Sequence, residues 1–290
     1  MSRLSIPRDY LPVLIQLTLA GNKLQQGLFL GILFPTATPY IKQQWNILNS
    51  FISLLGYYLA AALCDKHWYG RRHCQWIGFF AMFVFYIIIW AQWANMAQAG
   101  TATVDGAKAF QALYYLSSFF NQFGPNATTW LVAGEIFPTD IRSAYHGFAA
   151  ALGKVGAIIA SLWISYITDK SAIFLISAIW GICGAFFTIL MLPDTTGLDL
   201  EEYDRMQRCI LESRFHDYHG EAVNPKHLSP WEIYVQGWAK NYDPEADRVQ
   251  FEAEMKEYSE QAKHAGEMLA RLAASKEGGA IKSTQVAPEP

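Results

Sequence analysis

An all-α membrane protein, with about six transmembrane helices and a soluble helical cytosolic tail, is the fold class this sequence predicts. Three observations carry that expectation. The 290 residues are 52% hydrophobic and only 16% charged, against roughly a quarter charged in an average soluble chain. The deficit is local, because residues 44–192 hold few ionised groups while 194–290 are dense in Glu, Lys, Asp and Arg. Several runs also reach the ~20 mostly apolar residues that a helix needs to cross a hydrocarbon core about 30 Å thick. The expected organisation is a weak or partial first span with its loop over 1–43, a transmembrane bundle over 44–193, and a tail with amphipathic helices and a disordered end over 194–290.

The first candidate span, Leu11–Thr36, carries Gly21-Asn22-Lys23 and Gln25-Gln26 in its middle, where a lipid-facing helix is costly. It reads as a broken helix or two short segments. Five stronger stretches follow: Trp45–Leu63, Gln75–Trp93, Phe110–Ala133, Phe148–Thr168 and Ala172–Leu192. Trp45, Trp90, Trp93, Trp130, Trp163 and Tyr166 mark span ends, as expected of rings that favour the membrane interface. The loop "CDKHWYGRRHC" carries Lys66, Arg71 and Arg72, and the loop around Pro138 carries Arg142, whereas Ala94–Ala109 has only Lys108. Loops rich in Lys and Arg stay inside, so six spans put both termini in the cytosol, in agreement with Arg3 and Arg8. Cys64, Cys74, Cys183 and Cys209 show no paired spacing, and neither a disulfide nor a metal is expected. No removable signal peptide, enzyme motif, cofactor or nucleic-acid partner is expected either.

The stretch "NQFGPNATTWLVAGEIFPTDIRSAYHG" (Asn121–Gly147) interrupts the apolar pattern with amides, Gly124-Pro125 and a charged turn. Asn126 lies fourteen residues before Asp140 and Lys154 fourteen after it. In an antiparallel hairpin the two side chains then share a depth of about 10 Å inside the helix ends, at 1.5 Å per residue. A lysine there costs roughly 2.5–3.5 kcal/mol. It is sustained by a cavity, partner or anionic ligand, or by snorkelling to the headgroups. Gly153, Gly156, Ala157 and Ala160 favour the first reading, since small residues at this spacing suit helix packing. Glu135 and Arg142 fall at the cytosolic rim near Asp65, Arg71 and Arg72. Their opposite charges are able either to latch that face or simply to solvate a loop that fixes topology.

The order "GYY…D…GRR", "NQFGPNATTWLVAGEIFPTDIRS", "GKVGAIIA", "LPDTTGLDLEE" resembles the second half of the major facilitator superfamily, in its phosphate:proton symporter branch with the fungal phosphate and glycerophosphodiester permeases. The match covers about residues 46–203. The resemblance implies half of a twelve-helix fold. It implies substrate-binding roles for Asn126, which would contact the phosphate group, and Lys154, near the anion site, and it implies that Asp65, Arg71, Arg72, Glu135 and Arg142 belong to a cytosolic gate. It further implies proton coupling, a plasma-membrane location, and either a missing N-terminal half or a homo-oligomer as partner. The family's seventh helix carries a Trp…Asp…Tyr cluster, whereas this chain has no acid between Asp9 and Asp65.

In the tail, Tyr203, Met206 and Ile210 predict a short amphipathic helix. "HDYHGEAVNPKHLSP" reads as a loop, and Phe251, Met255, Tyr258, Ala262, Ala265, Leu269 and Leu272 as a weak heptad stripe. "KEGGAIKSTQVAPEP" reads as disordered. The expected function is transport of inorganic phosphate or a phosphate-containing organic anion. The alternatives are a non-transporting truncated or regulatory membrane protein derived from such a carrier, or a sugar or organic-ion porter half in which Lys154 is structural.

Overall fold

The computed structural model describes residues 38–96 and 103–283. The expected first span, with Arg3 and Arg8, lies outside them. The described residues form helices and turns and contain no strand. Four helices are long and apolar enough to cross a membrane: α1 (Pro39–Leu63), α2 (Gly70–Ala91), α5 (Arg142–Tyr166, over Arg142–Leu162) and α6 (Lys170–Met191). One helical turn, Trp93–Met96, follows α2.

The stretch expected as a single span over Phe110–Ala133 is instead divided. It consists of α3 (Val104–Asn121), a π turn (Gln122–Asn126) and α4 (Ala127–Ile136). The cause is Pro125, inside the π turn. Proline has no N–H to give and its ring collides with the preceding turn, so the ladder widens locally to accommodate it. Thr128 and Thr129 turn their hydroxyls back to the carbonyls of Gly124 and Pro125, at 2.9 and 2.5 Å.

Close approach holds the break in position. A Cβ on Gly78 of α2 would stand 2.4 Å from Pro125 Cδ and 2.7 Å from Gly124 Cα, so only a bare backbone fits where α2 meets the π turn. On the other side of α2, Gly181 and Gly184 of α6 pack on Phe79 and Phe83. The main core runs from Phe79, Met82 and Ile89 through Phe110 and Phe174. A smaller cluster, Ala60, Cys64, Cys74 and Phe123, includes a residue of the break itself. The thiols of Cys64 and Cys74 are 3.5 Å apart there, a contact their ten-residue separation does not announce.

Helix α5 differs from its neighbours. Only 11% of its apolar window is buried in this chain, against 39% for α2 and for α6. Phe148, Val155, Ile158 and Leu162 are exposed along it.

Beyond α6, α7 (Leu200–Leu211) starts on an Asp199 side chain that accepts from Glu201 N, the usual service of an N-cap carboxylate. It buries Tyr203 and Met206 against Leu192, Tyr218 and Val223. The segment read as a loop is therefore packed: Tyr218, Val223, Leu228 and Ser229 are all buried. Helix α8 (Pro244–Ser283) follows, with Phe251, Met255 and Tyr258 exposed. Residues 276–283, expected to be disordered, continue that helix. The preceding run of Leu, Ala, Arg, Lys and Glu consists of strong helix formers, and Gly278-Gly279 costs only about 1 kcal/mol per glycine.

Candidate functional site

The π turn buries Asn126 and gives its amide two partners. Nδ2 donates to the Tyr57 hydroxyl of α1 and to Gln122 Oε1, one turn earlier. Two elements, α1 and the π turn, thus converge on one carboxamide inside the bundle. Irregular backbone at such depth is tolerated where protein or a cavity surrounds it. Neither Tyr57 nor Gln122 follows from the 14–14 spacing that singles out Asn126. The i, i+4 relation of Gln122 to Asn126 was the available signal.

Lys154 lies elsewhere. It is exposed on α5, and no hydrogen bond or ion pair ties it to a described residue. The expectation of a buried ammonium sharing a crevice with the Asn126 amide is therefore not met within these residues. The physical reason is the sparse packing of α5: after the turn at Pro138 it leaves most of its length uncovered, so equal depth does not become contact. Gly156 is buried and Gly153, Ala157 and Ala160 are half-buried, so one stripe of the helix faces protein while Lys154 and Val155 do not.

The rim charges, in contrast, come together. Arg71 bridges two carboxylates, Glu135 at 2.8 Å and Asp65 at 3.3 Å. Asp65 is 78% exposed and adds little, as surface pairs do. Glu135 and Arg71 keep only 17% and 13% of their side-chain surface, so that pair works in a poorer dielectric. Burial pushes the Glu135 carboxyl above the usual carboxylate range, and the Thr195 hydroxyl and Arg71 pull it back. Gly70 explains why this arginine is held. It adopts φ +74°, which favours glycine, and any Cβ would stand 2.7 Å from Thr196 Oγ1. Thr196 Oγ1 accepts from Arg71 N at 3.0 Å and donates to Asp194 at 2.6 Å. "GRR" and "PDTTG" are thus one interlocked unit.

Arg72 and Arg142 do not join that cluster. Arg72 donates to the Leu228 carbonyl at 3.2 Å. Arg142 donates to Phe137 O at 3.0 Å and lies 3.7 Å from Asp204, which also accepts from Thr139 N. Both arginines thereby fasten the tail to the rim. His227 contributes through Nδ1 at 2.8 Å from Asp194 O, with Asp194 N donating to His227 O. Asp194, Thr195, Thr196, Asp204 and His227 are the residues that sequence reading missed. The threonines stood in a quoted motif, but their partners are 60 and 125 residues away.

Apolar helices, a proline-broken span and a charged clasp at one rim describe a polytopic membrane bundle. The family model for "Sugar (and other) transporter" matches residues 28–207, and the chain belongs to that family, within the major facilitator superfamily. It is an integral membrane protein. The chain is 38% identical over 153 residues to inorganic phosphate transporter 1-11 of Oryza sativa, covering 51% of this chain and 26% of that protein. It is 33% identical over 162 residues to low affinity inorganic phosphate transporter 4 of Lotus japonicus, covering 54% and 29%. It is 30% identical over 200 residues to inorganic phosphate transporter PHO84 of Saccharomyces cerevisiae, covering 61% and 31%. The chain thus spans about a quarter to a third of the length of these curated relatives.

Proposed function

We propose that this chain forms one helical bundle of a carrier for inorganic phosphate or a phosphate-containing organic anion, coupled to protons, with Asn126 and Lys154 as its contribution to the anion site. The observation that supports it most is the buried Asn126 amide at a π turn, in a chain whose relatives are inorganic phosphate transporters. An amide donor and an ammonium suit a phosphoryl group, which offers several strong acceptor oxygens. Lys154 reaches that group only when a second bundle covers the open face of α5. In such carriers the substrate lies between two halves that rock against each other, so the other half comes from further chain, a partner or a second copy.

In this reading the divided span counts as one crossing. With Leu11–Thr36 the bundle has six, the termini and the tail are cytosolic, and the membrane is the plasma membrane. Asp65, Arg71 and Glu135 close the cytosolic side, with Arg72 and Arg142 anchoring the tail that braces it. The exposure of Lys154 favours a second reading, a non-transporting protein derived from a carrier, in which α5 docks onto another membrane protein.

Uptake of labelled phosphate into vesicles holding the chain, alone or with a co-expressed second bundle, separates the two. Uptake that collapses in Lys154→Ala supports transport. No uptake with any partner supports the second reading.

A further inference from the structure

The thiols of Cys64 and Cys74 bracket, in sequence, the loop that carries Asp65 and Arg71, and in space they share a cluster with Phe123 of the π turn. They stand 3.5 Å apart, unbonded, at 6% and 0% exposure. Backbone contacts fix both. Cys64 caps the end of α1, where its N donates to Ala60 O at 2.8 Å. Cys74 lies in the second turn of α2 with its carbonyl against the π turn, since a Cβ on Gly124 would stand 2.5 Å from Cys74 O.

A cysteine in a core often serves only as a small apolar side chain. Two features of this pair go beyond that role. A disulfide needs its sulfurs about 2.05 Å apart, so closing the bond asks for a shift of about 1.5 Å. Exposure is also graded, because Cys64 adjoins Asp65, whose side chain is 78% exposed, whereas Cys74 is enclosed. An outer thiol beside an inner one is the arrangement of an attacking and a resolving cysteine. The Cys64 thiolate attacks a small external disulfide, forms a mixed disulfide and expels one thiolate. Cys74 then gives up its proton and attacks Cys64 Sγ, expelling the second. One external disulfide is reduced to two thiols, which take the two electrons and the two protons, and one S–S bond forms in the protein.

We infer that Cys64 and Cys74 form a reversible redox site whose disulfide pins the end of α1 to α2 and holds the rim loop closed. The bond encloses Asp65 and Arg71 in one short ring, which keeps Asp65 within reach of the guanidinium that also meets Glu135. The turn at that ring is closed by Lys66 N, which donates to Leu63 O at 3.1 Å, and by Tyr69 N, which donates to Lys66 O at 3.0 Å. A cross-link across it restricts the open, disordered forms of the loop, and local opening is read at those two amides. In a reducing compartment such a bond is transient and regulatory rather than structural.

The test equilibrates the full chain in lipid nanodiscs with graded ratios of reduced and oxidised glutathione. Differential alkylation and peptide mass spectrometry then count the thiols, with the partly exposed Cys183 and Cys209 as internal references. The expected result is a Cys64–Cys74 cross-linked peptide pair, two hydrogens lighter and reversed by dithiothreitol. Hydrogen exchange at the Lys66 and Tyr69 amides should slow at least about fivefold in the oxidised chain. Cys64→Ser should remove both effects, and Cys74→Ser should instead accumulate the mixed disulfide of Cys64 with glutathione. A Cys64–Cys74 pair that stays reduced across the whole series, or one that cross-links without slowing those amides, overturns the proposal.

Discussion

The charged rim and the face that carries Lys154 are built on opposite terms. At the rim Arg71 meets Glu135 and Asp65, and Arg142 meets Asp204, while Arg72 turns to the Leu228 carbonyl. On α5 a lysine and a row of large apolar side chains face outward, and nothing described in the chain receives them. A clasp completes itself locally, whereas a site between two bundles is half-made in either one. The same contrast separates the buried amides of Asn126 and Asn121 from Lys154: those inside the bundle are enclosed by it, and the ammonium at its margin is exposed.

The largest expected effect on stability is at the clasp. Arg71→Ala strands the mostly buried Glu135 carboxylate. Losing one partner of a fully buried pair costs 3–5 kcal/mol, and the solvent still reaching this one reduces that to roughly 2–3 kcal/mol. It should appear as a lower melting temperature in detergent, with Arg71→Lys recovering only part. Loss of less than about 0.5 kcal/mol, as for an ordinary surface site, would return the rim to a merely solvated loop.

Gly78→Ala comes next. Its methyl would stand 2.4 Å from the rigid Pro125 ring, and overpacking of this kind costs typically about 1–3 kcal/mol. The same melting assay reads it, and an unchanged midpoint would mean that α2 and the π turn are not in register.

A smaller effect concerns pH. Because the Glu135 carboxyl is raised by burial, it takes its proton at a pH above the ordinary ~4.3. Protonation removes the charge that Arg71 answers, so acidification loosens the clasp. Spin labels at the exposed positions Trp68 and Ile141 should report a broader distance distribution as pH falls from neutral toward the carboxylate range. Glu135→Gln should show that breadth at every pH. The folded chain holds this proton more tightly than the unfolded one, so the titration itself favours folding as pH falls. Distance, not melting temperature, is therefore the readout.

Much of the fold was legible. Apolar length announced α1, α2, α5 and α6, because a bilayer demands it whatever the neighbours are. Pro125 flagged the break, although hydropathy alone drew Phe110–Ala133 as one rod. The tail was harder. Tyr218, Val223 and Leu228 are scattered among polar residues without helical period, and their burial against Leu192 and Met206 follows from tertiary contact that no local pattern encodes. Of the five rim residues named from sequence, Asp65, Arg71 and Glu135 meet, because both loops lie at one membrane face. Arg72 and Arg142 turn instead to the Leu228 and Phe137 carbonyls, since side-chain direction is not written in loop composition. For Asn126 and Lys154 the spacing gave equal depth along two helices and said nothing of the angle each presents.

The smallest effect on stability and the largest on binding should coincide at one residue, Lys154. It is exposed and unpaired with any described residue, so Lys154→Ala should move the melting midpoint by less than the equivalent of about 0.5 kcal/mol. The direct test is phosphate binding to the chain assembled with its second bundle, wild type against Lys154→Ala. The account predicts at least a tenfold loss of affinity with the fold intact; equal affinity in the two proteins would contradict it.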